Sequence, residues 1–551
     1  MQKRQNEASL LLLAVIGLVL YLGVTFLSPF LDKAPALEDD GSGVPAITKE
    51  QAREAAEQFA LKQLSLSSNR ETNVMFQSFS ARSGYLQKEH LYDDYLERYG
   101  DKFPLDYYQV EINDLNTKTT YYLDVNYSTK EPLGWEINSP KATSSGDARA
   151  PEAGDVKLAE KAVKDMGYQP EEFTLKDTPD KNRGTYIFVS KTERIGEATL
   201  ELHTEVSGGK VTSFHPRFSV PESFLTWQQE QNDRAGLMTR ISMGLSAVMT
   251  LTAFFIVIRY RREISFSKGV VLSLLFLAVY VGNNFNMLPS FRTSHGEGPS
   301  GPEAMFYLWF MNVFTGLMAI STYCFLSSGR KLWMNRGMAP WPTWRDAAFG
   351  RSVKASMVRG YLICLFVLGV QRLLFFIAGE AFDVWAVSDP SDSVYNMLAP
   401  AAFPLMAWAA AISEEAAYRL FGIAFFLKLT RSRFLAVLLP SIIWAASHTQ
   451  YPIYPVYTRL IEVTIIGLIF GYTFLRYGFL TALFAHAAMD SILMGLSLMY
   501  MGDLLHVMTG GAYLLLPALI GWLLSWLHDR FKRQPRPLQL PPDSPIPHPD
   551  H

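Results

Sequence analysis

Residues 406–422 read MAWAAAISEEAAYRLFG, an alanine-rich apolar stretch with Glu414, Glu415 and Arg419 at its centre. An ionisable group in a membrane-spanning segment costs about 2.5–3.5 kcal/mol on insertion scales, so such groups are paired with one another or serve a function. On a helix, Glu415 and Arg419 lie on one face and can neutralise each other. Glu414 points about 100° away from Glu415, and we expect its partners on other segments.

The composition of the whole chain indicates a polytopic membrane protein. Of its 551 residues, 49% are hydrophobic and only 19% are charged, which is more apolar than a soluble protein of this size. The formal net charge of −2 argues against nucleic acid as a partner, because no domain-sized excess of Lys and Arg is available to neutralise phosphates. Cys324 and Cys364 lie in apolar segments, so the sequence predicts no disulfide framework and no thiolate metal site.

We predict a mainly α-helical fold with about ten membrane spans. The first span lies within residues 1–31 and is long enough to be an uncleaved anchor; a cleaved signal peptide ending near KAPALEDD is the alternative. The nine later spans are predicted near residues 236–258, 269–289, 305–327, 360–380, 395–427, 434–448, 460–475, 479–500 and 511–528. The corresponding domains are accessory helices 234–394, a catalytic core 395–505, a last helix 506–528 and a disordered cytoplasmic tail 529–551.

Basic residues are concentrated on one side of these spans. Arg259, Arg330, Lys428 and Arg476 mark four of the basic loops, whereas the opposite loops hold only Arg292 and Arg459. By the positive-inside rule, this asymmetry predicts a multi-pass cell-membrane protein with both termini in the cytoplasm. The polar residues 32–233 then form an extracytoplasmic domain that is inserted after the first span.

Residues 32–233 are predicted to form an α+β domain that contains one unit twice. The first copy begins with ITKEQAREAAEQFALKQL, in which Thr48 and Gln51 form a capping box, and continues with the alternating strands DYYQVEIND and TTYYLDVNY. The second copy has the helix GDVKLAEKAVKDMGY followed by TYIFVSKTE and ATLELHTEV. This pattern resembles PepSY-type domains; an unspecified α+β domain is the alternative.

Two later segments carry the polar groups that Glu414 needs. His448 ends the apolar segment SIIWAASH. His486 precedes Asp490 by four residues in HAAMD, so His486 and Asp490 lie on one helical face. Glu414, His448 and Asp490 are each 14 or 15 residues from the nearest basic residue on the inner side, which corresponds to a depth of about 21–22 Å, with His486 at about 15 Å. We therefore expect these four residues to form one layer.

The three motifs, taken in order, resemble the CAAX-protease and bacteriocin-processing family of intramembrane proteases. EEAAYR supplies Glu-Glu-x-x-x-Arg, Trp444 precedes His448 by four residues, and HAAMD supplies His-x-x-x-Asp. The resemblance covers about residues 395–505 and implies an intramembrane peptidase with Trp444 as an aromatic support. Trp444 stands where Phe is usual, and Asp490 where Asn is frequent.

Peptide hydrolysis requires a water molecule, a base that deprotonates it and donors for the developing oxyanion. We assign Glu414 as the base, His448 as a group that orients or deprotonates the same water, and His486 as the oxyanion donor. Asp490 is either protonated or holds the imidazole, while Glu415 and Arg419 fix the helix. Alternatively, Glu414, His448 and His486 hold a zinc ion with an open fourth position; without an HExxH-like pair we favour a reaction that needs no cofactor.

Two other function classes use the same buried groups. A proton-coupled transporter could employ Glu414, His448, His486 and Asp490 as a relay, but the sequence lacks the inverted halves that transporters commonly show. A non-catalytic scaffold or immunity protein could retain the fold. The expected partners of a protease are the lipid bilayer and a membrane-embedded or peptide substrate. Prenylated CAAX proteins are not expected, because an anchor followed by an outer domain suggests a bacterial chain.

Overall fold

A computed structural model describes residues 2–27, 44–64, 66–139, 154–177, 184–291 and 301–531. These residues form a mainly helical protein with one separate β-sheet region. The predicted tail lies outside the described residues from residue 532 onward, as do Arg292 and the alternative cleavage segment KAPALEDD.

The first helix, α1 (Gln2–Leu27), precedes the sheet region in the chain. The sheet region, which we define as the described residues between 44 and 220, consists of two series of elements. The first series is α2 (Lys49–Gln63), β1 (Arg70–Ser78), α3 (Ser80–Lys88), α4 (Tyr92–Tyr99), β2 (Asp106–Asp114), β3 (Thr119–Asn126) and β4 (Pro132–Asn138). The second is α5 (Asp155–Asp165), β5 (Phe173–Leu175), β6 (Thr185–Ile195), β7 (Ala198–Ser207) and β8 (Lys210–Phe218).

The eight strands form one antiparallel sheet in the order β1-β2-β3-β4-β8-β7-β6-β5. Each half of the sheet has four antiparallel strands in chain order and is preceded by a helix, but only the first half has two helices, α3 and α4, between its first two strands. The halves join where Trp135 pairs with Phe214 and Glu136 with Ser213. The repeated unit and its PepSY assignment stay predictions.

Helices α2 and α5 cover one face of the sheet. Their small residues Ala52, Ala56 and Ala159 are fully buried in a cluster with Leu123 and Leu202 of the strands. Helix α2 begins as predicted: Thr48 Oγ1 accepts from the Gln51 N–H at 3.2 Å, and Gln51 Oε1 accepts from the Thr48 N–H at 3.0 Å. The opposite face of the sheet carries polar side chains.

The remaining helices follow the sheet region. They are α6 (Glu222–Arg259), α7 (Val270–Asn286), α8 (Gly301–Met334), α9 (Phe349–Phe382), α10 (Met406–Glu414), α11 (Ile423–Thr430), α12 (Arg433–Ala446), α13 (Val456–Tyr477), α14 (Phe479–Met499) and α15 (Leu504–Phe531). Among the described residues, seven helices are long and apolar enough to cross a membrane: α1, α6, α8, α9, α13, α14 and α15. Helices α7 and α12 are shorter apolar helices, so length and composition support fewer spans than the ten predicted.

The predicted span near residues 395–427 is not one regular α-helix. The segment begins with a 3₁₀ turn, Pro400–Leu405, passes into α10, changes to a π-helix over Glu415–Gly422 and ends as α11. Pro400 and Pro404 lack the N–H groups that a regular α-helix requires. The π-helix accommodates an extra residue per hydrogen-bonded turn, a feature that is frequent at functional sites.

Helices α1 and α9 touch through two glycines. A Cβ atom added to Gly17 would lie 2.3 Å from the Leu365 carbonyl oxygen, and one added to Gly369 would lie 2.0 Å from the Gly17 carbonyl oxygen. Leu10 of α1 is buried in the same cluster as Cys364 of α9. Small residues allow helix backbones to approach this closely within membranes. The uncleaved anchor stays a prediction.

The segment between α9 and α10 contacts the sheet region. Its short strand β9 (Trp385–Ala386) pairs with β10 (Ile453–Tyr454), which follows α12. The fully buried Asn396 side chain accepts from the Phe76 N–H of β1 at 2.7 Å and donates to the Phe76 carbonyl at 2.8 Å. The sheet region is therefore joined to the segment that leads into α10.

Candidate active site

Three separate segments bring the predicted site residues together. Glu414 ends α10, and Glu415 and Arg419 lie in the π-helix that follows. Trp444 lies in the last turn of α12, and His448 follows two residues after that helix ends. His486 and Asp490 lie one turn apart on α14.

The Glu414 carboxylate lies between two histidines. Its Oε1 atom is 3.9 Å from His448 Nε2, and its Oε2 atom is 3.8 Å from His486 Nε2. Its Oε2 atom also accepts a hydrogen bond from the Trp444 indole N–H. The two histidine distances are too long for direct hydrogen bonds.

His448 is oriented by its own helix. The ring nitrogen Nδ1 lies 2.8 Å from the Trp444 carbonyl oxygen. Because a carbonyl can only accept, Nδ1 carries the hydrogen, and in the neutral ring Nε2 presents a lone pair towards Glu414. The ring lies against Trp444 and stacks on Tyr451, with ring centroids 5.2 and 6.0 Å away.

His486 lies between the other two carboxylates. Its Nδ1 atom is 2.8 Å from Glu415 Oε1, and its Nε2 atom is 3.3 Å from Asp490 Oδ2. The ring stacks on Phe470 at a centroid distance of 5.0 Å. Since both nitrogens face carboxylates, a doubly protonated ring would satisfy every contact that the imidazole makes.

Glu415 and Arg419 form the predicted ion pair, with Arg419 Nη1 3.2 Å from Glu415 Oε1. The Arg419 guanidinium also lies 4.1 Å from the centre of the Trp444 ring, a favourable cation–π geometry. Sequence reasoning missed two contacts: the bond between Glu415 and His486, and the bond from the Trp444 indole to Glu414. The presence of a Trp at a position where Phe is usual was the signal for the second.

Accessibility divides the site into two halves. The side chains of Glu414, His448 and Asp490 remain 23%, 19% and 15% exposed, whereas those of Glu415, Arg419 and His486 are 0%, 2% and 3% exposed. We call the first set the open half and the second the closed half. Only the open half is partly exposed at the surface of the protein.

The donor geometry does not favour the zinc alternative. Within the part of the chain that the structure describes, no three His, Cys, Asp or Glu side chains are arranged to hold a metal ion. One oxygen of Glu414 already accepts from Trp444, and one nitrogen of His486 is bonded to Glu415. A reaction without a cofactor stays a prediction.

Comparison with known families places a match on this part of the chain. Residues 396–492 match the family model described as type II CAAX prenyl endopeptidase Rce1-like. The matched segment contains all seven predicted site residues, from Glu414 to Asp490. Comparisons with curated proteins and with solved structures found no match.

Proposed function

Residues 396–492 belong to the CAAX protease family, and on that premise we propose that the chain is an intramembrane endopeptidase in which Glu414 activates the attacking water. The observation that carries this proposal is the position of Glu414, a partly exposed carboxylate within 3.9 Å of the ring nitrogens of two histidines. A general base has to reach the water that it deprotonates and the leaving nitrogen of the substrate, to which it passes the proton. The closed half has no such access.

In the proposed reaction, one water molecule lies between Glu414 Oε1 and His448 Nε2. Glu414 takes a proton from the water while the water oxygen forms a bond to the carbonyl carbon of the substrate. His448 accepts the other water hydrogen as a hydrogen bond through its Nε2 lone pair. Glu414 then passes its proton to the leaving amine as the C–N bond breaks, which restores the carboxylate.

His486 is the proposed donor to the oxyanion. Its Nδ1–H is held by Glu415, so only Nε2–H can face the substrate. Asp490 accepts from Nε2 in the resting site at 3.3 Å and has to share that hydrogen when the oxyanion forms. Arg419 balances the charge of Glu415, and Asp490 balances a positively charged His486 ring, so no buried charge is left unpaired.

The position of the site along α6 favours entry from the side of the sheet region. Thr449, next to His448, donates to the Ala235 carbonyl at 3.2 Å, and Ala235 is thirteen residues after the start of α6 at Glu222. The site then lies about 20 Å along the helix from its sheet-region end and about 36 Å from its other end. A peptide segment in the outer part of the membrane is the substrate that this position favours.

The test is the mapping of new peptide ends produced by the purified full chain in detergent from a library of apolar peptides. We expect cleavage by the native chain and by Glu380→Gln, a matched control at an exposed carboxylate of α9, and no cleavage by Glu414→Gln. Cleavage that persists with a strong chelator would support the metal-free reaction. The same peptide ends at the same rate from Glu414→Gln would overturn the proposal.

A further inference from the structure

A second polar site lies in the sheet region, away from the family segment. It is a cavity of about 510 Å³ on the sheet face opposite α2 and α5. The register explains its position: Glu136 pairs with Ser213, Ser213 with Glu205, and His203 with His215, so these side chains share one face across the junction of the two sheet halves. A cavity of this volume is in the range of small-molecule sites.

The basic side of the cavity contains a buried arginine. Arg82 of α3 is only 4% exposed, and its guanidinium lies 4.2 Å from the centre of the Phe79 ring. Its Nη1 donates to the Tyr95 hydroxyl at 3.3 Å, but its Nε–H has no acceptor among the described residues. A buried guanidinium with an unused donor is costly unless an anion or another acceptor completes its bonds.

Arg217 lies at the mouth of the same cavity and is held in place by a histidine. Its Nη2 donates to His203 Nδ1 at 3.0 Å, while His203 Nε2 lies 2.9 Å from Glu201 Oε2. Burial lowers the pKa of His203, so its ring is neutral near pH 7 and can accept from Arg217. Two guanidinium groups therefore line one side of the cavity.

The acidic side is formed by Glu136 and Glu205, both of which line the cavity. A third carboxylate, Asp124, lies 3.3 Å from His215 Nδ1. The apolar side chains of Phe79, Phe103 and Leu133 line the rest. The cavity thus offers separate positions for a negative group, a positive group and an apolar body.

We propose that this cavity binds a zwitterionic ligand of the amino-acid or short-peptide class. The ligand carboxylate contacts Arg82 and Arg217, the ligand amine contacts Glu136 and Glu205, and the apolar side chains lie against Phe79 and Phe103. Charged hydrogen bonds to arginine favour planar carboxylates. This proposal does not depend on proteolysis, because the cavity and the membrane site share no residue.

The experiment measures binding of one dipeptide, leucyl-phenylalanine, to the full chain in detergent by calorimetry. Three forms are compared: the free dipeptide, its C-terminal amide and its N-acetyl derivative. We expect the free form to bind and each blocked form to bind at least tenfold more weakly, because each loses one charged contact. Equal affinity for the three forms, or no binding of the free form at millimolar concentration, would overturn the proposal.

Two surface variants separate the two ends of the ligand. Arg217→Gln should abolish the preference for the free carboxylate while retaining the preference for the free amine, and Glu205→Gln should do the reverse. Lys210→Gln, on β8 but outside the cavity, is the matched control and should bind like the native chain. If inorganic sulfate competes fully with the dipeptide and Glu205→Gln has no effect, the cavity is an anion site and the zwitterion proposal is wrong.

Discussion

The open and closed halves of the membrane site contain the same kinds of side chain in different surroundings. Glu414 and Glu415 are neighbours in sequence, yet Glu414 is partly exposed between two histidines while Glu415 is fully buried against Arg419 and His486. The difference teaches that burial, more than residue type, distinguishes the two glutamates. A carboxylate that water reaches can exchange protons, whereas one surrounded by fixed donors holds other groups in place.

The largest effect on turnover is expected from a substitution in the open half. Glu414→Gln keeps the shape and the bond from Trp444 but removes proton acceptance, so the turnover number should fall by about 10²–10⁴, the usual contribution of a general base. Peptide hydrolysis and thermal unfolding are measured on the same preparation. A stable variant with full turnover would remove Glu414 from the reaction.

A substitution in the closed half should lower the stability of the folded protein. Glu415→Gln leaves Arg419 as a buried charge without its carboxylate, which costs about 3–5 kcal/mol. We expect a lower unfolding temperature and a lower yield than for Glu414→Gln, which serves as the matched control. If the two variants are equally stable, the division into halves is wrong.

A smaller effect is expected where the two halves meet. Trp444→Phe removes the indole N–H that bonds to Glu414 but keeps an aromatic ring under Arg419. A hydrogen bond to a charged group contributes about 1.5 kcal/mol at the low end, so kcat/KM should fall by about tenfold.

Trp408→Phe is the control for this substitution, because the Trp408 indole nitrogen is buried without a partner among the described residues. We expect native activity from it. An equal loss of kcat/KM in both variants would assign the effect to packing.

The smallest effect is expected at Asp490. Asp490→Asn retains an oxygen that can accept from His486 Nε2, so activity should change by about threefold or less, the equivalent of roughly 0.5 kcal/mol. Asp490→Ala removes the acceptor and should lose more than the Asn variant. Steady-state hydrolysis by both variants decides the point, and a silent Asp490→Ala would show that the residue does not orient His486.

Much of the membrane site could be predicted because its residues obey helical spacing. The i,i+4 relations of Glu415 with Arg419 and of His486 with Asp490 follow from the chain itself, and both pairs are in contact. Counting residues from basic loops predicted that Glu414 would meet His448 and His486, and the structure places it within 3.9 Å of both. Their catalytic roles stay predictions.

The rest depends on how helices turn about their axes, which hydropathy does not encode. The π-helix over Glu415–Gly422 changes the facing of the residues within it, and residue spacing assumes a regular α-helix. Spacing within one helix indicates only contacts within that helix, so the sequence paired Glu415 with Arg419 and missed His486 of α14. The sequence predicted the helices and strands of the sheet region. It did not predict the cavity, which depends on the polar side chains that share one face across the paired strands β4 and β8.

The contact between Gly17 and Gly369 has a consequence for the order of events during synthesis. Helix α1 is the first of these segments to leave the ribosome, and α9 follows more than 300 residues later. At roughly 5–20 residues per second, α1 has to wait for about 15–65 seconds before its backbone partner exists. Helix α1, the first of the described helices, thus contacts α9 only after the second half of the chain has begun to be synthesised.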